Sequence, residues 1–109
     1  MHDRIPVLTH LQFLVLGTLA DGERAGREIR DLMARYGVRR TPAAFYQMMA
    51  RLERQRWIEG WYEQITVGDQ AVTERRYRIT AGGRKRWNDA RAFYDHVARA
   101  AAKLRWSDA

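Results

Sequence analysis

The chain of 109 residues contains no cysteine and no long apolar run. Without cysteine it forms no disulfide, no thiolate nucleophile and no cysteine-ligated zinc site. No apolar stretch approaches the roughly 20 residues that a helix needs to cross a bilayer. The N-terminus also lacks a basic-then-apolar export signal. These absences predict a cytoplasmic protein with no membrane partner.

Patterns that carry catalysis or bind metals are missing as well. The three histidines, His2, His10 and His96, are scattered, with no carboxylate or second histidine at ligand spacing. There is no nucleophile–base–orienter set, no phosphate-cradling glycine loop and no plausible acid/base pair. The sequence therefore predicts no enzyme, no metal site and no cofactor.

What the sequence has in excess is positive charge. Twenty Lys and Arg residues face 13 Asp and Glu, which gives a net charge of +7, and nearly all the cations are arginine. Arginine grips phosphates with two parallel hydrogen bonds and reads guanine edges. The charge favours a nucleic-acid partner, although a small basic protein can also be basic for no specific purpose.

Helix signals divide the first half of the chain. Thr9 followed by Gln12 fits a capping box, and the apolar residues 11–20 predict a mostly buried first helix. The second helix is indicated by an apolar face followed by Gly37, which suits a left-handed C-terminal cap. That face consists of Ile29, Leu32, Met33 and Tyr36.

A third helix, a hairpin and a long last helix follow. Thr41-Pro42 is a strong helix start, and Phe45, Met48, Met49 and Leu52 form the inward stripe of that helix. Two strand-like segments then flank the connector 68–70, and the last helix runs from Thr80 to about residue 105.

This order predicts an α+β, mostly α fold: a winged helix-turn-helix of three helices plus a two-stranded wing, with a C-terminal dimerisation helix. The winged helix occupies residues 1–80 and the dimerisation helix residues 81–109. A chain this short has a modest core, so a partner subunit is expected to contribute stability.

The third helix is the candidate DNA-recognition element, because its outer face is small near the start and basic near the end. Small residues allow close approach to the duplex, polar ones reach base edges, and arginines hold phosphates. The candidate contacts are Arg39, Arg40, Thr41, Ala43, Tyr46, Gln47 and Arg51. The alternative is an ordinary solvated amphipathic helix.

One wing arginine completes the predicted DNA surface. Alternation sends Arg75 and Arg76 to opposite faces of the strand, and Arg76 is the one predicted to face DNA. An internally paired role is the alternative for any single wing arginine.

The last helix carries an apolar seam with alternating steps of three and four, typical of helix pairing. It consists of Trp87, Ala90, Tyr94, Val97, Ala101 and Leu104. One interpretation is that the seam only closes a dimer. The other is that Phe93 and Tyr94 also line a pocket between subunits for a small aromatic effector.

Several short motifs make a more specific resemblance. They are Thr41-Pro42, Phe45-Tyr46, Arg51-Leu52-Glu53, Trp57-Ile58-Glu59 and the run RRYRITAGG over residues 75–83. With this spacing, residues 9–104 resemble the PadR family of bacterial transcriptional regulators, and the single last helix is similar to its short subfamily. One departure is Arg27, where the family usually has an aromatic residue.

The resemblance implies a homodimeric repressor that binds a near-palindromic operator, contacts DNA through Tyr46 and, in some members, responds to a ligand. Two rivals stay open: a protein-interaction module that docks a partner through its hairpin, and a sequence-independent architectural DNA binder. Exposed Trp57 and Trp61 would favour the first rival, since exposed tryptophans mark protein interfaces.

Overall fold

The computed structural model describes the backbone of residues 5–107 and the side chains of residues 5–104. Four helices and three strands follow in the order α1, β1, α2, α3, β2, β3, α4. Their bounds are His10–Thr18, Arg24–Ala25, Gly26–Arg35, Pro42–Arg54, Ile58–Val67, Gln70–Ile79 and Ala81–Ser107. The predicted winged helix-turn-helix with a long C-terminal helix is thereby confirmed.

The sheet is antiparallel with the strand order β1-β3-β2. Strands β2 and β3 form the wing, paired from Ile58↔Ile79 to Val67↔Gln70 around the two-residue turn Gly68-Asp69. Gly68 has φ 62°, which a hairpin turn of this length requires at its first position. Strand β1 was not predicted, because a two-residue strand has no periodicity for a sequence pattern to reveal.

Predicted caps begin the first and third helices. Thr9 Oγ1 accepts from the Gln12 N–H at 3.1 Å, and Gln12 Oε1 accepts from the Thr9 N–H at 2.9 Å. Thr41 Oγ1 accepts from the Ala44 N–H at 3.1 Å, with Pro42 as the first helical residue. These side chains satisfy backbone donors that the first helical turn leaves unpaired.

Helix α2 ends as its sequence predicts. Gly37 has φ 81°, the Val38 N–H donates to the Met33 carbonyl at 3.0 Å, and the Gly37 N–H donates to the Ala34 carbonyl at 3.0 Å. These two bonds form a Schellman cap. Tyr36, assigned from the sequence to the apolar face of this helix, is 72% exposed, because it lies at the cap rather than inside the last turn.

Helix α3 ends in the same geometry without a glycine. Arg56 has φ 60°, and the Trp57 N–H donates to the Leu52 carbonyl at 3.2 Å. A left-handed conformation costs a residue with a side chain on the order of 1 kcal/mol. Thr80 helps to hold this turn, since its hydroxyl donates to the Arg56 carbonyl at 2.6 Å. The end of α3 is thus fastened to the start of α4.

The core lies between the helices and the inner face of the sheet. The predicted inward stripe of α3 is buried, as are the second-helix residues Ile29 and Met33. Other members of the same cluster come from α1, β2 and β3, including Val15, Leu16, Ile58 and Tyr77. This packing fixes α3 with its opposite face exposed.

Helix α4 packs its first half on α1 of the same chain. The rings of Phe13 and Trp87 stack with centroids 5.9 Å apart. Gly17 allows this contact, because a Cβ there would lie 3.1 Å from Trp87 Nε1. Ala90, one turn further, has no exposed surface. Within residues 5–107, no helix is both long and apolar enough to span a membrane.

Candidate nucleic-acid interface

The outer face of α3 and the turn before it bring the predicted contact residues to one side of the molecule. All seven are exposed, and helical spacing places Ala43, Gln47 and Arg51 along a single line. The set is Arg39, Arg40, Thr41, Ala43, Tyr46, Gln47 and Arg51. A helix with this face can enter the major groove without losing its packing to the core.

The side chain of Tyr46 is 38% exposed and packs against Phe45 and Gly26. Its ring meets Phe45 edge-on at 5.0 Å between centroids. It also lies against Gly26 at the start of α2, where an added Cβ would be 3.0 Å from the tyrosine hydroxyl. The absence of a side chain at Gly26 therefore leaves room for the Tyr46 ring, whose hydroxyl lies beside the first turn of α2.

A cleft of about 200 Å³ lies between α2 and the turn leading to α3. Its floor is apolar, and the guanidinium of Arg30 lies 6.0 Å from the Phe45 ring centroid. Its cations are Arg27, Arg30, Arg39 and Arg40, against the single carboxylate of Asp31. This concentration of charge beside α3 attracts the phosphate backbone of DNA.

Each of the three arginines of the wing strand is ion-paired within the chain, whereas among the cleft arginines the structure shows such a pair for Arg27. Arg75 meets Glu53 of α3 at 2.6 Å and lies over the Tyr62 ring at 4.6 Å. Arg78 donates to Glu59 at 2.7 Å from the neighbouring strand. The wing arginines thus hold the hairpin to α3 and to itself.

Arg76 has the densest set of partners, and this corrects its predicted role as the wing contact to DNA. Its side chain is only 18% exposed and meets Glu74 at 2.6 Å, Glu63 at 3.4 Å and Glu28 at 3.9 Å. A guanidinium among three carboxylates has little capacity left for a phosphate. Internal pairing, the alternative considered for the wing arginines, describes this residue.

Glu74 is the centre of this network. It accepts from Arg76 through one oxygen and from Arg27 at 3.2 Å through the other, so it links the wing to α2. The hydrogen bond from Arg76 lowers the pKa of Glu74 below its ordinary value of 4.5, and the same bond raises the pKa of Arg76. Burial raises the pKa of Tyr77, which faces the core from β3, to about 12.

The lowered pKa of Glu74 predicts an acid-sensitive wing. A carboxylate with a folded-state pKa below its unfolded value contributes stability at neutral pH and loses it as the pH falls through the folded-state value. Melting temperatures measured from pH 7 to pH 3 should therefore fall less steeply for Glu74→Gln than for the wild type. Parallel curves for the two proteins would contradict this role of Glu74.

The predicted seam of α4 divides into two parts. Trp87 and Ala90 pack on α1 of their own chain, and Ala90 has no surface left for a partner, which corrects its assignment to a dimer interface. Val97 is 44% exposed, and Ala101 and Leu104 are also exposed. An apolar face available to a second subunit therefore begins near Tyr94.

Phe93 and Tyr94, the predicted pocket residues, lie where the two parts of the seam meet. Their ring centroids are 5.4 Å apart, and Tyr94 also meets Phe13 edge-on at 5.9 Å. Among the described residues, no three His, Asp or Glu side chains are grouped so that they could hold a metal ion.

The two tryptophans of the wing base are partly buried rather than exposed. Trp57 packs against the core with Arg86 at 5.7 Å from its ring centroid, and Arg78 lies 5.4 Å from that of Trp61. The exposure that would have favoured a protein-docking hairpin is therefore not found.

Sequence reasoning missed the carboxylates that pair the wing arginines. The pairing of Arg78 with Glu59 could have been predicted from the sequence. A hairpin turn centred between Gly68 and Asp69 places these two residues directly opposite each other. The partners supplied by α2 and α3 depend on tertiary packing, which no short-range pattern shows.

Three helices, a wing and a basic outer face on α3 define a winged-helix regulator. A model of the Transcriptional regulator PadR-like family matches residues 15–89. The chain therefore belongs to this family, as its motifs predicted. No curated protein sequence matches it.

Solved structures of the family share the fold. A PadR family transcription regulator from Clostridium difficile R20291 superposes with a TM-score of 0.72 at 14% identity, over 88% of this chain and 98% of that one. One from Eggerthella lenta gives 0.62 at 24% identity, over 86% and 80%. Bacillus subtilis PadR in complex with operator DNA gives 0.58 at 19% identity, over 73% and 45%.

Proposed function

We propose that this protein is a homodimeric transcriptional repressor that places α3 of each subunit in the major groove of a near-palindromic operator. The observation that carries the proposal is the exposed face of α3, with Arg39 and Arg40 before it and Gln47 and Arg51 along it. Membership of a family of transcriptional regulators supports it, as does a fold shared with a protein solved on its operator.

A dimer would present two copies of α3 to the DNA. The exposed residues Val97, Ala101 and Leu104 lie within one stripe of α4 and supply a self-complementary apolar surface for two-fold pairing. Half-sites about 34 Å apart, one helical turn of DNA, would then match the two recognition helices.

Binding to a fragment from upstream of the protein's own gene should fall steeply between 50 and 200 mM salt, because each arginine–phosphate contact releases counterions. Arg51→Ala and Tyr46→Ala should each weaken binding about tenfold, the usual scale of one lost contact. Fluorescence anisotropy measures both effects, and thermal melting shows whether each variant is folded.

Two matched controls sharpen this experiment. Arg99→Ala on α4 removes the same charge away from α3 and should bind as the wild type does, whereas Tyr46→Phe keeps the ring on Gly26 and removes only the hydroxyl. Wild-type affinity in both alanine variants of α3 would refute the helix assignment. Equal affinity for a scrambled competitor would instead show an architectural binder.

The proposal also includes a small aromatic effector that binds between the subunits and releases the DNA. Aromatic stacking and a phenolic hydroxyl at Phe93 and Tyr94, beside the exposed part of α4, would suit a planar ligand between subunits. Titration with planar aromatic compounds should release operator DNA from the wild type and have less effect on Tyr94→Ala. Equal release from both proteins would remove Tyr94 from the site.

A further inference from the structure

Arg27 stands on a ridge between two grooves that flank α3. It belongs to the first turn of α2, and its side chain is 64% exposed. On one side is the arginine-rich cleft, and on the other a groove of about 510 Å³ between α3 and the wing. Tyr46, Thr73 and Arg75 also line this second groove, together with the Glu74 carboxylate and apolar side chains of the wing.

A recognition helix about 10–12 Å across fills a major groove about 12 Å wide. A ridge of phosphates therefore runs beside such a helix. On the wing side of α3, the element beside Tyr46 is the first turn of α2, where Arg27 lies. Its guanidinium is the group suited to a phosphate at that position.

The wing cation that lines this groove, Arg75, is already paired with Glu53 at 2.6 Å. Residues 57–74 contain no Lys or Arg but four carboxylates: Glu59, Glu63, Asp69 and Glu74. The wing arginines further along β3 are paired with carboxylates. Contact with the backbone on this side of α3 therefore depends on α2 rather than on the hairpin.

Arg27 can leave its present partner at little cost. Its contact with Glu74 is 3.2 Å long and the Arg27 side chain is mostly in solvent, where water screens an ion pair and leaves it weak. Glu74 would not be stranded, because its other oxygen keeps the 2.6 Å bond from Arg76.

We propose that Arg27 is an operator-phosphate contact restrained by Glu74. When the protein binds DNA, the Arg27 guanidinium leaves the Glu74 carboxylate and binds a phosphate of the DNA strand that runs between α3 and the wing. The ion pair between Arg76 and Glu74 stays in place. The exchange rests on the proposed function and deepens it, since it adds a residue of α2 to the DNA surface and places an internal competitor beside it.

The first arm of the test measures salt slopes by anisotropy. Arg27→Gln should lower the slope of log K against log salt by about 0.9, the contribution of one phosphate. It should weaken specific and scrambled DNA by the same factor, since phosphates carry no sequence. Arg99→Gln removes the same charge from the outer face of α4 and should leave the slope unchanged.

The second arm of the test changes Glu74 and should increase operator affinity instead of lowering it. Glu74→Gln frees Arg27 and should tighten operator binding several-fold, whereas a carboxylate that only supports the wing would give weaker binding when removed. In the double variant with Arg27→Gln, the Glu74→Gln gain should vanish. If Glu74→Gln does not fold, as judged by thermal melting, Glu74→Asp retracts the carboxylate by one methylene and should also tighten binding.

The outcomes separate two failures. If the wild type does not bind the promoter fragment, the proposed function is wrong. If it binds with a steep salt slope that Arg27→Gln leaves unchanged, or if the Glu74 variant that folds binds more weakly, only the role of Arg27 is overturned.

Discussion

Alanine at Gly83 should strongly destabilise the protein, whereas alanine at Gly82 should stabilise it. Both residues lie in the first turn of α4, where a glycine-to-alanine change normally gains about 0.5–1 kcal/mol. At Gly83, however, an added Cβ would overlap the carbonyl oxygen of Trp57. At Gly82 its nearest neighbour is Thr80 Oγ1 at 3.7 Å, an ordinary contact.

The obstruction at Gly83 is backbone, so no rotamer change relieves it. We expect a loss of about 3 kcal/mol or more in the free energy of unfolding, the upper range for overpacking. Urea denaturation followed by circular dichroism measures it, with Gly82→Ala as the matched control. Equal midpoints for the two variants would show that α4 does not approach Trp57 this closely.

Glutamate at Val97 should convert dimers to monomers and abolish tight operator binding. Val97 lies in the exposed part of the apolar stripe of α4, and pairing would bury its charged replacement without a partner. A monomer keeps only one half-site, so it loses the gain of simultaneous engagement, a factor on the order of 100 or more. Size-exclusion chromatography with light scattering and anisotropy report the two effects.

Asn88→Glu is the control for that experiment. It adds the same charge to the same helix, but nine residues at 100° each place it on the opposite side. It should leave both the dimer and operator affinity intact. A dimer that survives Val97→Glu would refute α4 pairing through this stripe, whatever the result for DNA.

Sequence alone gave accurate results where the determining interactions are local. Thr9, Thr41 and Gly37 set helix ends through atoms a few residues away, so composition and spacing were enough. Strand β1 depends on pairing with Tyr77 and Arg76, more than fifty residues further along the chain. No pattern within two residues can report such a partner.

The stripe on α4 shows a different limit. Periodicity identifies which side of a helix is apolar, but not what covers it. Trp87 and Ala90 continue the same pattern as Val97 and Leu104, yet the first pair is covered by α1 of the same chain. Likewise, alternation along β3 did not reveal that Glu28, Glu63 and Glu74 surround one of its arginines.

The hydrogen bond from the Thr80 hydroxyl to the Arg56 carbonyl connects the end of α3 to the start of α4. A movement of α4 is therefore transmitted to α3. From residue 81 to Val97, α4 measures about 24 Å, at 1.5 Å per residue. If the angle between two paired α4 helices changed by about 10°, the start of α4 would move by roughly 4 Å. This is more than the 3.4 Å rise of one base pair. In the proposed dimer, a small rearrangement at the subunit contact would therefore shift the two recognition helices relative to their half-sites.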